Sequence, residues 1–152
     1  MAIDYRAAQP QLYEAMHALQ EHIDACGVEP GLLEMVKLRA SQINGCSFCV
    51  NLHAGTARDA GESDARLHMV SAWRHARSFT PRERAALEWS DTITRLADAP
   101  SMEEGLEKLR THFSDAEIVT LTWAVAAINA WNRVAVPLGR QGGPPAPGGT
   151  AL

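Results

Sequence analysis

The chain has 152 residues, 46% of them hydrophobic and 21% charged, with a formal net charge of −4. That length suits one domain with a real core, and the balance is that of an ordinary globular protein. The negative charge and the lack of a basic cluster exclude nucleic acid as an expected partner. No apolar run is long and uninterrupted enough for a bilayer, so no membrane role is expected.

The opening, MAIDYRAAQPQLYEAMHALQ, lacks a cationic stretch followed by an apolar run, and no signal peptide is expected. Pro10 then occupies a first helical position, and Leu12, Met16, Leu19 and Ile23 recur at helical spacing until Gly27 stops the run near Cys26. Pro30 opens a second helix running to about Ile43, with Asn44-Gly45 as a turn. A third helix is predicted from Cys46 to near Gly61, and a fourth from Ser63 with Leu67, Val70 and Trp73 as its apolar face. Thr80-Pro81-Arg82-Glu83 is a capping box that opens a fifth helix, ended by Ala99-Pro100. A short sixth spans Met102 to His112. A second capping box, Ser114-Asp115-Ala116-Glu117, opens a seventh that runs to about Arg133. No strand-length run alternates with period two, so the fold class is all-α, a compact bundle of about six to seven helices. Residues 1–135 are predicted to form a single domain. The Pro- and Gly-rich residues 136–152 cannot build a core and read as a flexible tail or a strap on a neighbouring subunit.

The third helix carries NGCSFCVNLH, residues 44–53. At about 100° per residue, Cys49 lies about 60° and His53 about 20° from Cys46, so all three share a face. His53 is one turn beyond Cys49 and within its reach. Cys46 lies in the first turn, where free N–H groups and the helix dipole stabilise a thiolate. Two thiols one turn apart can close a disulfide, which suits thiol–disulfide chemistry. Two blander readings stand beside it. The first is a metal clip completed by Glu34, Cys26 or water, though no second ligand pair at finger spacing exists. The second is a pair of core thiols near a satisfied histidine. A haem anchor is excluded, because Val50 stands where its histidine must follow the second cysteine. Three cysteines without a leader point to a reducing compartment, the cytoplasm, where a CxxC is more often catalytic or metal-binding than structural.

Glu34 sits in PGLLEMVKLRAS, flanked by Leu32, Leu33, Met35 and Val36. One reading is a surface glutamate paired with Lys37 at i+3. In the other, the helix is buried on both sides, and desolvation raises the carboxyl pKa and fits it for proton transfer.

The string EMVKLRASQINGCSFCVNLH, Glu34 to His53, resembles the alkylhydroperoxidase D / carboxymuconolactone decarboxylase family, with the acid twelve residues before the first cysteine. The resemblance extends over roughly residues 30–133, including the late segment AAINAWNR. It implies an all-helical fold that assembles into trimers or hexamers. By the resemblance Glu34 and His53 relay protons, Cys49 is the peroxidatic thiol and Cys46 resolves it. The substrate is a hydroperoxide, a thiol or dithiol is the reductant, and no cofactor or metal takes part. The family's decarboxylase branch generally lacks the CxxC, so its presence points to the redox branch. One departure stands out: Phe48 lies between the cysteines, where the best-studied members carry histidine. Two other functions are compatible with these residues. One is carboxymuconolactone-type lyase chemistry with His53 and Glu34 as acid and base, and the other is a non-enzymatic redox- or zinc-sensing module.

Cys26 reads as a lone thiol at a helix end. Trp123 and Trp131 read as core or interface, and Asn129, Asn132 and Arg133 as interhelical or intersubunit hydrogen bonders. His17, His22, His68, His75 and His112 have no partner at ligand spacing. A second helix apolar on several faces, with a tryptophan-bearing last helix, is more apolar surface than short helices bury alone, and a homo-oligomer is expected.

Overall fold

The computed structural model describes residues 2–99 and 101–143, and among them the regular structure is entirely helical. In chain order the helices are α1 (Tyr5–Ala8), α2 (Pro10–Asp24), α3 (Pro30–Asn44), α4 (Ser47–Asp59), α5 (Asp64–Met69), α6 (Pro81–Thr94), α7 (Met102–Arg110) and α8 (Asp115–Ala135). Short 3-10 turns follow α5 at Val70–Ala72 and α6 at Leu96–Asp98.

Local chemistry sets most of these limits. Pro10, Pro30 and Pro81 each stand in a first turn, where the missing N–H costs nothing. Both predicted capping boxes form, Thr80 with Glu83 and Ser114 with Glu117. At the end of α3, Gly45 takes φ 67°, the left-handed conformation that lets the chain reverse into α4. The predicted fourth helix is shorter than its pattern: α5 stops at Met69 and tightens into a 3-10 turn. Leu67, Val70 and Trp73 are nevertheless all buried. Likewise α6 ends at Thr94, before the predicted stop, and Pro100 lies outside the described residues. The short α1, capped by the Asp4 carboxylate, has no apolar period to announce it.

α3 is the axis of the bundle. It packs against α4, α6 and α8, and its residues from Leu32 to Leu38 are all buried. The main core surrounds it with Leu87, Leu121, Val125 and Leu109 from α6, α8 and α7. A smaller apolar cluster joins Ala40 of α3 to Cys46, Cys49 and, on α8, Ile128 and Ala135. Asn129 and Asn132 make interhelical bonds, as expected: both accept from the Asn44 amide, at 3.0 and 2.8 Å, tying the end of α3 to α8. Arg133 stays within α8 and donates to Asn129 Oδ1 at 2.7 Å.

The chain after α8 folds back on its own body. Leu138 O accepts from Ile3 N at 3.0 Å, Gly142 N donates to Ser47 Oγ at 3.3 Å, and the Arg140 guanidinium lies 4.0 Å from the Phe48 ring centroid. A Cβ on Gly142 would stand 2.4 Å from Phe48 Cα, so only glycine fits that crossing. Residues 144–152 of the predicted tail lie outside the described residues.

The second capping box yields a pH prediction. The Ser114 backbone N–H, the Arg82 guanidinium and the Ser114 hydroxyl hold the Glu117 carboxyl down at about 2. Glu117→Ala should therefore destabilise the protein by about 1 kcal/mol at neutral pH, the usual scale for a lost cap. A depressed carboxyl stabilises fully above its unfolded value near 4.5 and loses that contribution as pH falls through about 2. Urea unfolding of both proteins at pH 7 and at pH 2.5 should show the gap closing.

Candidate active site

The α3–α4 hairpin brings the predicted site residues into one neighbourhood. Cys46 is not the first residue of α4, as the spacing predicted, but its N-cap, with φ −82° and ψ 94°. From there its sulfur accepts the Cys49 backbone N–H at 3.3 Å and caps the helix. The two sulfurs are bonded to each other, with S–S 2.15 Å. Both residues are buried, Cys46 to 1% and Cys49 to 3% exposure.

His53, two turns along α4, points its Nδ1 at Glu34 Oε2, 2.8 Å away on α3. The other Glu34 oxygen accepts from Lys37 Nζ at 2.7 Å, and the same ammonium donates to Asp24 Oδ1 at 2.5 Å. Lys37 is 1% exposed, whereas the Asp24 side chain is 46% exposed. A chain of alternating charge therefore runs from solvent at Asp24 through Lys37 and Glu34 to the histidine.

This corrects both sequence readings of Glu34. The pair with Lys37 exists but lies inside the protein. The carboxyl pKa does not rise: burial pushes it up, but the His53 hydrogen bond and the Lys37 and His53 charges outweigh that and hold it below the ordinary carboxylate range. An ionised carboxylate only accepts hydrogen bonds, so His53 Nδ1 carries a proton and a neutral ring keeps its lone pair on Nε2. The dyad thus pairs an ionised carboxylate with an imidazole held in one orientation.

Above Cys49 and His53 opens a pocket of about 300 Å³ whose walls include Phe48, Leu52, Tyr13 and Trp131. His17 and Gln20 of α2 also line it, although nothing in their local sequence marks them. Tyr5, Arg6 and Tyr13 were equally hidden. Cys26 lies apart and exposed at the end of α2, its thiol donating to His22 O. Among the described residues no three His, Cys, Asp or Glu side chains converge on a metal-sized site. Trp123 is exposed on α8, unlike Trp131.

An all-helical bundle with a buried cysteine pair beside a Glu–His dyad defines the class. The sequence profile of the carboxymuconolactone decarboxylase family matches residues 10–92, and the chain belongs to that family. The uncharacterized protein YdfG of Bacillus subtilis is 30% identical over 139 residues, 91% of this chain and 95% of its own length. Among solved structures, a protein of unknown function from Agrobacterium tumefaciens, suggested to be the antioxidant defence protein AhpD, superposes with a TM-score of 0.89. It is 41% identical and covers 92% of this chain and 96% of its own. An uncharacterized peroxidase-related protein from Ralstonia eutropha with an alkylhydroperoxidase AhpD core has a TM-score of 0.78 and 25% identity. That match covers 90% of this chain and 73% of its own. The fold is therefore alkylhydroperoxidase D-like.

The buried cation gives a second prediction. Lys37→Met leaves Glu34 without its nearest positive charge and should cost about 3 kcal/mol, the scale for breaking a buried pair from one side. The sign of the pH effect follows from the depressed Glu34 carboxyl. Its ionised form stabilises the fold above the unfolded value of 4.5, and this is lost as pH falls through the lower folded value. Without Lys37 the folded value rises, so acid unfolding should begin at higher pH in the variant. Denaturant titrations from pH 7 downward test both parts.

Proposed function

We propose that the protein is a thiol-dependent hydroperoxide reductase that cycles Cys46 and Cys49 between dithiol and disulfide. The observation behind this reading is a bonded cysteine pair whose Cys49 lines the same pocket as the Glu34-oriented His53. The likeness to the AhpD-type proteins supports it. In the reduced protein, His53 Nε2 takes the Cys49 proton, and the thiolate attacks the outer peroxide oxygen. The O–O bond breaks, the departing alkoxide takes a proton and leaves as an alcohol, and Cys49 becomes a sulfenic acid. The Cys46 thiol then displaces water to form the disulfide, and a dithiol reductant restores both thiols. Cys46, capping α4, holds its thiolate next to the Cys49 N–H and serves as the resolving group.

The same reading places the protein in the cytoplasm as a homo-oligomer, with residues 1–135 as its domain. Among the described residues no helix is long and apolar enough to cross a membrane. Val119 and Trp123, one turn apart on α8, are 56% and 53% exposed, an outward apolar face that a second copy would cover. Light scattering at micromolar concentration should give a trimer or hexamer, and a monomer would refute the assembly.

Thiol counting tests the chemistry. One equivalent of hydroperoxide should remove two of the three thiols, mapped by peptide mass to Cys46–Cys49, with Cys26 left free. Cys46→Ser should still consume one equivalent and leave a trappable sulfenate on Cys49. His53→Gln should slow the first step about 10²-fold, the usual scale for losing a positioned base. Unchanged thiol counts after peroxide would sink the reading and favour lyase chemistry by the same Glu–His dyad.

A further inference from the structure

The chamber over Cys49 is bounded on one side by three aromatic rings, Tyr5, Tyr13 and Trp131. The same three rings also line a second cavity of about 340 Å³. They therefore form a partition with a cavity on each side. Tyr13 meets Trp131 edge to face with centroids 5.6 Å apart and lies 6.4 Å from Tyr5. Beyond the partition the walls are Met16, Val134 and Leu138, with the exposed Leu12 and Ile3 at the rim and no charged residue among the lining. A space lined in this way does not hold ordered water well, because water needs polar partners. It suits methylene groups, each worth about fourfold in affinity when buried.

The catalytic chamber has a different character. Arg6 lines it, with its guanidinium 4.6 Å from the Tyr13 ring centroid, and makes no ion pair among the described residues. His17, the other basic side chain of that wall apart from His53, faces Glu21 at 3.5 Å. The arrangement thus offers one cation without an ion-pair partner among the described residues, one reactive sulfur and one apolar recess.

We propose that these two chambers take an amphipathic organic hydroperoxide, a long unbranched chain ending in a carboxylate. The peroxide would lie over Cys49, the carboxylate at Arg6 and the apolar tail past the aromatic partition. This rests on the peroxidase reading above and names its substrate class. The tail would pass between the two cavities at the Tyr13 ring, which both share with Trp131, and this makes Tyr13 and Trp131 the specificity-determining residues of the proposal. The redox step is the one already given: two electrons pass from Cys49 to the O–O bond. The peroxide leaves as the hydroxy acid, and the dithiol reductant restores the thiols.

Stopped-flow oxidation of the reduced protein by hydrogen peroxide, tert-butyl hydroperoxide, linoleic acid hydroperoxide and its methyl ester tests this. The fatty-acid hydroperoxide should react at least about tenfold faster than the tert-butyl compound, since several methylenes are buried. The free acid should outrun its ester, and Arg6→Ala should abolish that preference. Val134→Trp, which fills the recess, should lower the ratio of the long-chain to the hydrogen peroxide rate constant about tenfold by the same burial argument. Independently of turnover, the Cys46→Ser/Cys49→Ser protein should bind dodecanoate in calorimetry, and bind it more weakly once Val134→Trp is added. Normal oxidation by hydrogen peroxide with no chain-length effect and no dodecanoate binding would overturn the proposal. Failure of every peroxide to oxidise Cys49 would refute the peroxidase reading instead, and dodecanoate binding would then decide the cavities alone.

Discussion

A helix buried on nearly every side cannot hold an isolated charge, and besides Arg39, which pairs with Asp91, α3 buries two more. Lys37 and Glu34 are tolerable there only because each neutralises the other and each has a second partner, Asp24 outward and His53 inward. That constraint organises the rest of the molecule. It fixes the rotation of α3 in the bundle, since any other setting would strand an ammonium or a carboxylate among leucines. It also fixes α4 against α3, because His53 has to meet Glu34. The cysteine pair is then brought to its place by the short Gly45 turn that joins the two helices.

The cysteine pair is set into a small apolar cluster of its own, between the end of α3 and the middle of α8. Burial there would ordinarily raise the cost of a thiolate. The capping geometry opposes that cost at Cys46 by turning the Cys49 N–H toward its sulfur. The returning chain adds the Arg140 cation beside Phe48, in the peptide that separates the two cysteines. Phe48, between the two cysteines, serves here as the platform for that cation.

Much of this was legible in the sequence where the signals are local. The two capping boxes, the prolines at helix starts, the Gly45 turn and the Cys46–Cys49 pairing all depend on residues within a few positions of one another. What escaped depends on long-range meetings. Asp24 reaches Lys37 from a different helix, and Arg39 pairs with the buried Asp91, 52 residues away. The direction of the Glu34 shift could not be read from its leucine-rich neighbours. Those predict desolvation, but the opposing charges come from Lys37 and from a histidine nineteen residues on. The helix start at Ser47 rather than Cys46 was missed because an N-cap and a first-turn residue differ only in backbone angles. Tyr5, Tyr13 and His17 were missed because their role depends on the amino-terminal helices lying across α8.

The side chains from Glu34 to His53 occupy one continuous hairpin, while the walls above them combine Phe48 and Leu52 of that hairpin with residues from towards the two ends of the chain, such as Tyr5 and Trp131. The floor is encoded contiguously and the roof discontinuously. Substitutions that reshape the roof can therefore accumulate in the amino-terminal helices and in α8 without disturbing the order of groups along the hairpin. A lineage built on this scaffold can exchange one set of walls for another while inheriting the Glu–Cys–Cys–His hairpin whole.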